Sequence, residues 1–274
     1  MNKTIQELNL EDDFLFAKVM TDKEVCKKVL EKILNIKIQR VEIPQNQKTI
    51  DLLLESKGIR LDIYVHDEHG TIYNVEMQRG GYKNLAKRSR YYQGNIDLDL
   101  ISKGEDYKKL KKSFVIFICT FDPFGRGRHI YTFSNRCIQD TSILLEDETY
   151  KVFLNTMGMI NDVDEEMLEF LGYVQNSTDE YVQHVKSTLV KELHQKVISI
   201  KQDQRMEVEY MTLLERDREK FEEGREEGRE EGIKEGIKEG KYEITKRMLA
   251  LGLPLETIQA ATGLSKEDIQ QIKL

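Results

Sequence analysis

The spacing of apolar residues predicts helices in four segments of the first 200 residues. Apolar side chains recur at near-helical intervals in 12–35, 83–101, 164–174 and 178–200. Within the first segment, Asp22 is a residue type that caps helices, so a second helix is expected to begin there.

Strands are predicted between these helices. Residues 59–65 and 71–78 alternate apolar and polar side chains, and the turn-rich residues 66–70 separate them, which predicts a β-hairpin. Residues 113–121 are almost all apolar, as expected of a central strand covered on both faces. Residues 129–133 form a further candidate strand.

The predicted hairpin brings two acidic residues together. With the turn centred on His69, Asp62 lies directly opposite Glu76. Because side chains alternate between the two faces of a strand, Asp62, Glu76 and Gln78 are expected on one face. The β-carbons of directly opposite residues lie roughly 5 Å apart.

Two carboxylates at this separation repel each other unless a cation compensates them. Their oxygens suit Mg²⁺ or Mn²⁺, and Gln78 can hydrogen-bond a water or a phosphate oxygen. Alternating acids on a strand more often mark a solvated face. Here three observations favour a metal site instead: the acids lie within apolar runs, the predicted register pairs them, and cations follow directly in the sequence. These cations, placed to attract a phosphodiester, are Lys83, Lys87, Arg88 and Arg90. Tyr91 and Tyr92 are candidates to stack on a base or sugar, although one of them is expected in the core.

The composition excludes several classes of protein. The 274 residues have a formal net charge of -7, which argues against broad coating of nucleic acid but allows a local basic groove. No apolar run suits a membrane span or a secretory signal. Three cysteines without metal-like spacing predict reduced thiols and a cytoplasmic location. Since no Gly-rich phosphate loop is present, no nucleotide cofactor is expected.

A Gly- and Glu-rich segment follows residue 203. Its glycines are four residues apart, at 224, 228, 232, 236 and 240. In a helix they would form one stripe, and each would cost about 1 kcal/mol relative to Ala. A solvated linker is favoured, and a helix that forms a homodimer through the stripe is the main alternative.

The last segment, 243–274, contains three short helical patterns. Pro254 suits a first helical turn, and Ser265 with Asp268 resembles a capping box. The spacing is similar to a helix-turn-helix, but the candidate recognition helix, 266–274, is weakly basic. A small structural or dimerising cap is therefore favoured over a DNA-reading module.

Four strings of the sequence resemble the PD-(D/E)XK nuclease-family transposases, a group similar to the recombination-promoting nucleases. They are LEDDFLFAKVM, IRLDIYVHDEHGTIYNVEMQ, KRSRYYQGNID and FVIFICTFDPFGRGRHIYTFSN. The resemblance implies an α/β, restriction-endonuclease-like core, a mixed sheet flanked by helices, with a helical C-terminal extension. It also implies phosphodiester hydrolysis with one or two Mg²⁺ ions.

The resemblance also implies roles for individual residues. Asp62 and Glu76 match the metal-binding acids of the motif, and Asp13 matches an acid that helps hold a metal or a water. Gln78 takes the place of the usual Lys, so it offers a hydrogen bond without a charge. Tyr92 and Gln93 match a following-helix motif that orients the site, and both are candidate DNA contacts.

The sequence thus predicts a Mg²⁺-dependent DNA endonuclease of the transposase or recombination-promoting type. The alternative is a catalytically weak or inactive nuclease fold that serves as a DNA-binding or oligomerising module. The predicted parts are a nuclease-like core in 1–160, a helical continuation in 161–202, a helical linker in 203–242 and a C-terminal cap in 243–274.

Overall fold

The computed structural model describes residues 3–42, 63–80 and 84–272, and the backbone alone of 49–50 and 59–60. The chain divides into two compact units, residues 1–207 and 208–274. Every helix in the described ranges is too short or too polar to cross a membrane. The domain bounds proposed from the sequence stay predictions.

A mixed β-sheet organises the first unit. The described strands are β1 (Val41–Glu42), β2 (Thr49–Ile50), β3 (Ile59–Arg60), β4 (Ile63–Asp67), β5 (Ile72–Gln78), β6 (Ser113–Cys119), β7 (Ile130–Phe133) and β8 (Thr149–Asn155). Six of these form one sheet in the order β1-β4-β5-β6-β8-β7, while β2 pairs with β3. Strands β5, β6 and β8 are parallel, and the other pairs are antiparallel.

Strand β6 is the centre of this sheet, as its composition predicted. All seven of its residues are buried, because β5 and β8 flank it and both of its faces are covered. The candidate strand at 129–133 is confirmed as β7. Strand β8 was not predicted from the sequence.

The hairpin of β4 and β5 has the predicted register. The described pairs are Ile63 with Val75, Tyr64 with Asn74, Val65 with Tyr73 and His66 with Ile72. Asp67 closes the turn, since its carboxylate accepts hydrogen bonds from the amides of His69 and Thr71, each at 2.9 Å. The alternation of the two strands therefore determines which side chains share a face.

Six helices of the first unit lie in the described residues. They are α1 (Asp13–Met20), α2 (Lys23–Leu34), α3 (Leu85–Leu100), α4 (Glu165–Gln175), α5 (Asp179–Gln183) and α6 (Thr188–Gln202), with short 3-10 turns at Ile5–Glu7 and Tyr107–Lys109. Asp22 caps α2 as expected, because its carboxylate accepts from the amides of Glu24 and Val25. The pattern at 178–200 corresponds to two helices rather than one.

Helix α3 covers one face of the sheet. Its residues Leu85, Tyr92 and Ile96 belong to a buried cluster with Phe117 of β6 and Phe153 of β8. The helices α1, α2, α4 and α6 pack against one another, and α2 also contacts β1. The expected mixed sheet flanked by helices is therefore confirmed.

Helix α7 (Gln204–Ala250) spans the Gly- and Glu-rich segment without a break. The segment is solvent-exposed and helical throughout. Glu, Lys and Arg between the glycines favour a helix, and Lys234 lies 3.7 Å from Glu230 one turn away. Apart from the neighbouring backbone of α7 itself, nothing in the described chain lies within 4 Å of the position that a methyl group would take at any of the five glycines. A homodimer through this stripe stays a prediction.

Two short helices end the second unit, α8 (Leu255–Thr262) and α9 (Lys266–Gln271). Gly263 ends α8 with φ +67°, a conformation that favours glycine. Ser265 caps α9 by accepting from the Asp268 amide at 3.1 Å. Ile258 and Ile269 are buried. The pair thus has the helix, turn and helix that the spacing indicated.

Candidate active site

Strand β5 carries two of the candidate site residues on the face that α3 covers. Glu76 is aligned with Phe117 of β6, and Gln78 with Cys119, and both partners belong to the cluster under α3. Glu76 is 2% exposed, and Gln78 is also buried. Burial penalises the charge of a carboxylate, so a positive partner stabilises its ionised form.

Arg88 of α3 brings a positive charge to this carboxylate. Its Nη2 lies 3.7 Å from Oε2 of Glu76. Its Nη1 donates to Oε1 of Gln78 at 2.7 Å, and its Nη2 donates to the Tyr92 hydroxyl at 2.6 Å. The Arg88 side chain is 35% exposed, so solvent or a ligand can reach it.

The position of Arg88 follows from helical geometry. Arg88 and Tyr92 are four residues apart and therefore lie on one face of α3. The guanidinium carbon lies 5.4 Å from the centre of the Tyr92 ring and 5.8 Å from that of Phe117. These aromatic faces attract a cation and hold it at the end of β5.

The start of α1 also reaches the end of β5. Arg79, directly after Gln78, donates to Oδ2 of Asp12 at 3.1 Å. The next residue, Asp13, is exposed, yet the surrounding protein displaces water from its carboxylate and raises its pKa, while the charge of Arg79 opposes the shift. The structure therefore brings the first turn of α1, with the predicted ligand Asp13, towards the strand of Glu76.

The loop of residues 120–129, between β6 and β7, begins at the same edge of the sheet. The amide of Thr120, just after β6, donates to the carbonyl of Gln78 at 3.1 Å. The Asp122 carboxylate accepts from three backbone amides of this loop and keeps it compact. Arg126 and Arg128 are exposed on it. The loop that begins beside Gln78 therefore carries two exposed arginines, and Arg128 also lies 3.4 Å from Asp162.

The thiol beside the site is unreactive. Burial raises the pKa of Cys119 to about 12, although the nearby charge of Arg88 opposes the shift. Since the thiolate is the nucleophilic form, this buried cysteine is a poor nucleophile near neutral pH.

The predicted DNA contacts on α3 differ in exposure. Lys87 and Arg90 are exposed on α3. Tyr92 and Gln93 are buried, and the Gln93 amide donates to the hydroxyl of the first residue of β6 at 2.8 Å. Tyr91 is exposed, so the expectation that one of the two tyrosines lies in the core is confirmed for Tyr92. DNA contact by any of these residues stays a prediction.

Two of the predicted site residues, Asp62 and Lys83, lie outside the described residues. Within the described ranges, no group of three or more His, Cys, Asp or Glu side chains could hold a metal ion. Of the three predicted metal ligands, the structure thus describes Glu76 and Asp13.

Sequence reasoning assigned no role to Asn74 and Arg79. Asn74 is fully buried, and neither polar atom of its amide has a hydrogen-bond partner in the described part of the chain. Its position two residues before Glu76, on the same face, was a usable signal. The pairing of Arg79 with Asp12 joins residues 67 positions apart and has no local signal.

Comparison with known proteins agrees with this architecture. Residues 11–229 match the family described as PD-(D/E)XK nuclease family transposase. Residues 238–274 match the domain described as Rpn/YhgA-like nuclease family, C-terminal HTH domain, which favours the helix-turn-helix interpretation of the tail over the structural cap. No curated protein and no solved structure matches the chain. The family's restriction-endonuclease-like fold agrees with the mixed sheet and its flanking helices. Because the first match covers well over half of the sequence, the chain belongs to the PD-(D/E)XK nuclease family transposases.

Proposed function

We propose that the chain is a metal-dependent DNA endonuclease that hydrolyses phosphodiester bonds at the carboxyl end of β5. The observation that carries the proposal is the buried carboxylate of Glu76, beside Gln78 and the guanidinium of Arg88. Burial of a charge costs stability, and a cation-binding site offsets that cost. The exposed cations Lys87 and Arg90 of α3 then attract an incoming DNA backbone.

Glu76 has the chemistry of a Mg²⁺ ligand. Its carboxylate oxygens are the hard donors that this ion prefers. The 3.7 Å separation from Arg88 is longer than a charge-assisted hydrogen bond of about 2.8 Å, so Arg88 does not fix that oxygen tightly. We expect Asp62 as the second ligand, because the sequence pattern of the hairpin predicts that it lies opposite Glu76. Asp13 is the third expected ligand.

The reaction adds water across a phosphorus–oxygen bond: the water oxygen joins phosphorus, and the leaving oxygen takes up a proton. Held by Glu76 together with the expected ligands Asp62 and Asp13, a Mg²⁺ ion would lower the pKa of a bound water and polarise a phosphate oxygen. Gln78 is neutral and cannot remove a proton near neutral pH, so it contributes by hydrogen bonding. Lys87 and Arg90 hold neighbouring phosphates by charge.

Two variants test the proposal in the full chain. With Mg²⁺ and supercoiled plasmid DNA, Glu76→Gln and Asp62→Asn should abolish nicking. By calorimetry, both should also lose most of the Mn²⁺ binding of the unmodified protein, because each removes a charged ligand. Circular dichroism should show the same helix content. Nicking by Glu76→Gln at the unmodified rate would contradict the proposal.

Asp67 offers a matched control in the same hairpin. It is also a buried acid, but it accepts from the Tyr73 hydroxyl at 2.8 Å and from turn amides, which indicates a structural role. Asp67→Asn should melt at a lower temperature yet bind Mn²⁺ normally below that temperature. Equal loss of Mn²⁺ binding in Asp67→Asn and Glu76→Gln would mean that the loss reflects the fold, and the proposal would fail.

The C-terminal segment supports a second candidate function, DNA binding without hydrolysis. The helix-turn-helix match favours it. The charge of α9 opposes it, since Lys266 is paired with Glu256 at 3.0 Å and is followed by Glu267 and Asp268. Calorimetry separates the two functions: a pure binder keeps its DNA affinity in metal-free buffer and shows no Mn²⁺ binding that depends on Glu76.

A further inference from the structure

Arg88 is held by partners on two different elements. Its two terminal nitrogens donate to Gln78 on β5 and to Tyr92 on α3, at 2.7 and 2.6 Å. Because a guanidinium is planar and its donors have a fixed geometry, two such bonds determine the orientation of the whole group. Holding a flexible side chain in one orientation costs conformational entropy. A cation that contributes only surface charge does not need a fixed orientation, so the arrangement indicates a more specific role for Arg88.

Tyr92 forms the rigid side of this arrangement. Its ring stacks on Phe117 of β6 at 6.0 Å, and Phe117 stacks on Phe153 of β8 at 5.2 Å. The stack fixes the direction of the Tyr92 hydroxyl, which accepts from Arg88. Tyr92 is buried, so its ring presents little surface on which a base could stack. Its contribution to DNA cleavage is therefore to orient Arg88.

Gln78 is fixed at both ends of its amide. Its oxygen accepts from Arg88, and its nitrogen donates to the carbonyl of Met77 at 2.7 Å. Because Arg88 is a donor, the amide oxygen of Gln78 must face it. Because the Met77 carbonyl is an acceptor, the amide nitrogen of Gln78 must face that carbonyl. The amide is therefore directed at Arg88 in this structure, which suits a residue that positions the guanidinium.

The phosphate of a cut strand requires positive charge at this point. A guanidinium presents parallel N–H groups that match two phosphate oxygens, and charge stabilisation is a main contribution to phosphoryl transfer. Gln78 supplies no charge, whereas Arg88 lies within 3.7 Å of Glu76 and remains partly exposed. We infer that Arg88 is a catalytic residue that binds the scissile phosphate, and that Gln78 and Tyr92 are positioning residues that orient it. This inference rests on the proposed nuclease function.

Kinetics of plasmid nicking by the full chain with Mg²⁺ test the inference. Arg88→Gln should lower kcat on the order of 100-fold, as expected when a charged donor to the transition state is lost. Arg88→Lys keeps the positive charge but loses the planar guanidinium. Its kcat should therefore lie between that of Arg88→Gln and that of the unmodified protein. Tyr92→Phe keeps the ring stack and should lower kcat several-fold with little change in KM. Lys103→Gln, which removes an exposed charge after α3, should cut like the unmodified protein.

A rescue experiment separates charge supply from structural support. Gln78→Lys introduced into Arg88→Gln returns a cation to the site from β5, and should raise kcat at least tenfold above Arg88→Gln alone. Binding of Mn²⁺, measured by calorimetry, should be retained in all Arg88 variants and not be weakened in Arg88→Gln, since the metal ligands remain and a neighbouring cation is removed.

The outcomes distinguish this inference from the proposed function. If the unmodified chain does not cut DNA, the proposed function fails and the inference fails with it. If the unmodified chain cuts and Arg88→Gln cuts equally fast, the inference alone is wrong. It is also wrong if Arg88→Gln changes KM without kcat, or if the folded double variant shows no rescue.

Discussion

Replacement of Asn74 by Leu is expected to stabilise the protein, although it removes a polar residue beside the candidate site. Asn74 is 0% exposed, and neither its amide nitrogen nor its amide oxygen has a hydrogen-bond partner in the described part of the chain. It lies between Tyr64 of β4 and Val115 of β6 in the sheet. Leu is larger but has the same branch point at Cγ, and it carries no group that must give up water.

The magnitude follows from the cost of an unpaired buried amide, about 1–3 kcal/mol in proteins. Asn74→Leu removes the unpaired amide and should therefore raise the free energy of unfolding by most of this amount. In a domain of this size, 1 kcal/mol shifts the melting temperature by roughly 2–4 °C. The expected increase is therefore at least about 2 °C, measured by thermal denaturation and by urea unfolding.

Asn155 provides a control for which the opposite change in stability is expected. It is also 0% exposed and lies in the same sheet, at the end of β8. Its amide, however, donates to the carbonyl of Arg128 and accepts from the amide of Met157, both at 2.8 Å. Asn155→Leu should destabilise the protein by about 1–3 kcal/mol, because it removes two hydrogen bonds to partly buried backbone groups, the carbonyl of Arg128 and the amide of Met157.

The comparison of the two variants can refute this reasoning. If Asn74→Leu lowers the melting temperature as much as Asn155→Leu does, the Asn74 amide is satisfied in solution. If Asn74→Leu is more stable but nicks DNA more slowly, the unpaired amide serves the site at a cost in stability.

Three further predictions concern other parts of the chain. Gly228→Ala and Gly232→Ala should each stabilise α7 by about 1 kcal/mol in thermal melts, since their added methyl groups meet no neighbour within the described chain; weaker self-association in sedimentation would instead indicate that a second copy packs on the stripe. Burial acts to raise the pKa of Asp67, but hydrogen bonds from Tyr73, Thr71 and His69 outweigh it and lower the pKa. The resulting stability is present above the unfolded pKa of about 3.9 and lost as the pH falls through the lowered folded pKa, so acid melts of Asp67→Asn should lack this loss. Burial raises the pKa of Cys26 and of Cys119 to about 12, so iodoacetamide at pH 8 should modify the more accessible Cys137 first, as peptide mapping can show.

The elements that follow from local pattern were predictable. Strand β6 is apolar on both faces, and the hairpin register follows from the alternation of side chains along β4 and β5. Strand β8 was missed because it begins with the half-buried residues Thr149, Tyr150 and Lys151, and its strand character depends on pairing with β6 and β7. Local sequence carries no record of such partners.

The site was predictable as a set of residue types and not as a set of contacts. Periodicity placed Glu76 and Gln78 on one face, and their contacts with α3 agree with it. The same reasoning treated Arg88 as one of several surface cations, because its distance from Gln78 depends on how α3 docks on the sheet. The burial of Tyr92 likewise depends on the ring of Phe117, which lies 25 positions further along the chain.

This dependence on docking has a consequence for how the site is maintained. The carboxylate lies on a strand, while the guanidinium beside it lies on a helix, so their separation is determined by the packing between the two. Ile96, one turn after Tyr92, is fully buried in the cluster that holds α3 on β6 and β8. Apolar packing in this cluster therefore determines whether Arg88 stands next to Glu76. In such an arrangement the hydrophobic core is part of the active-site geometry, because a shift of the helix by less than 1 Å is enough to break hydrogen bonds of normal length.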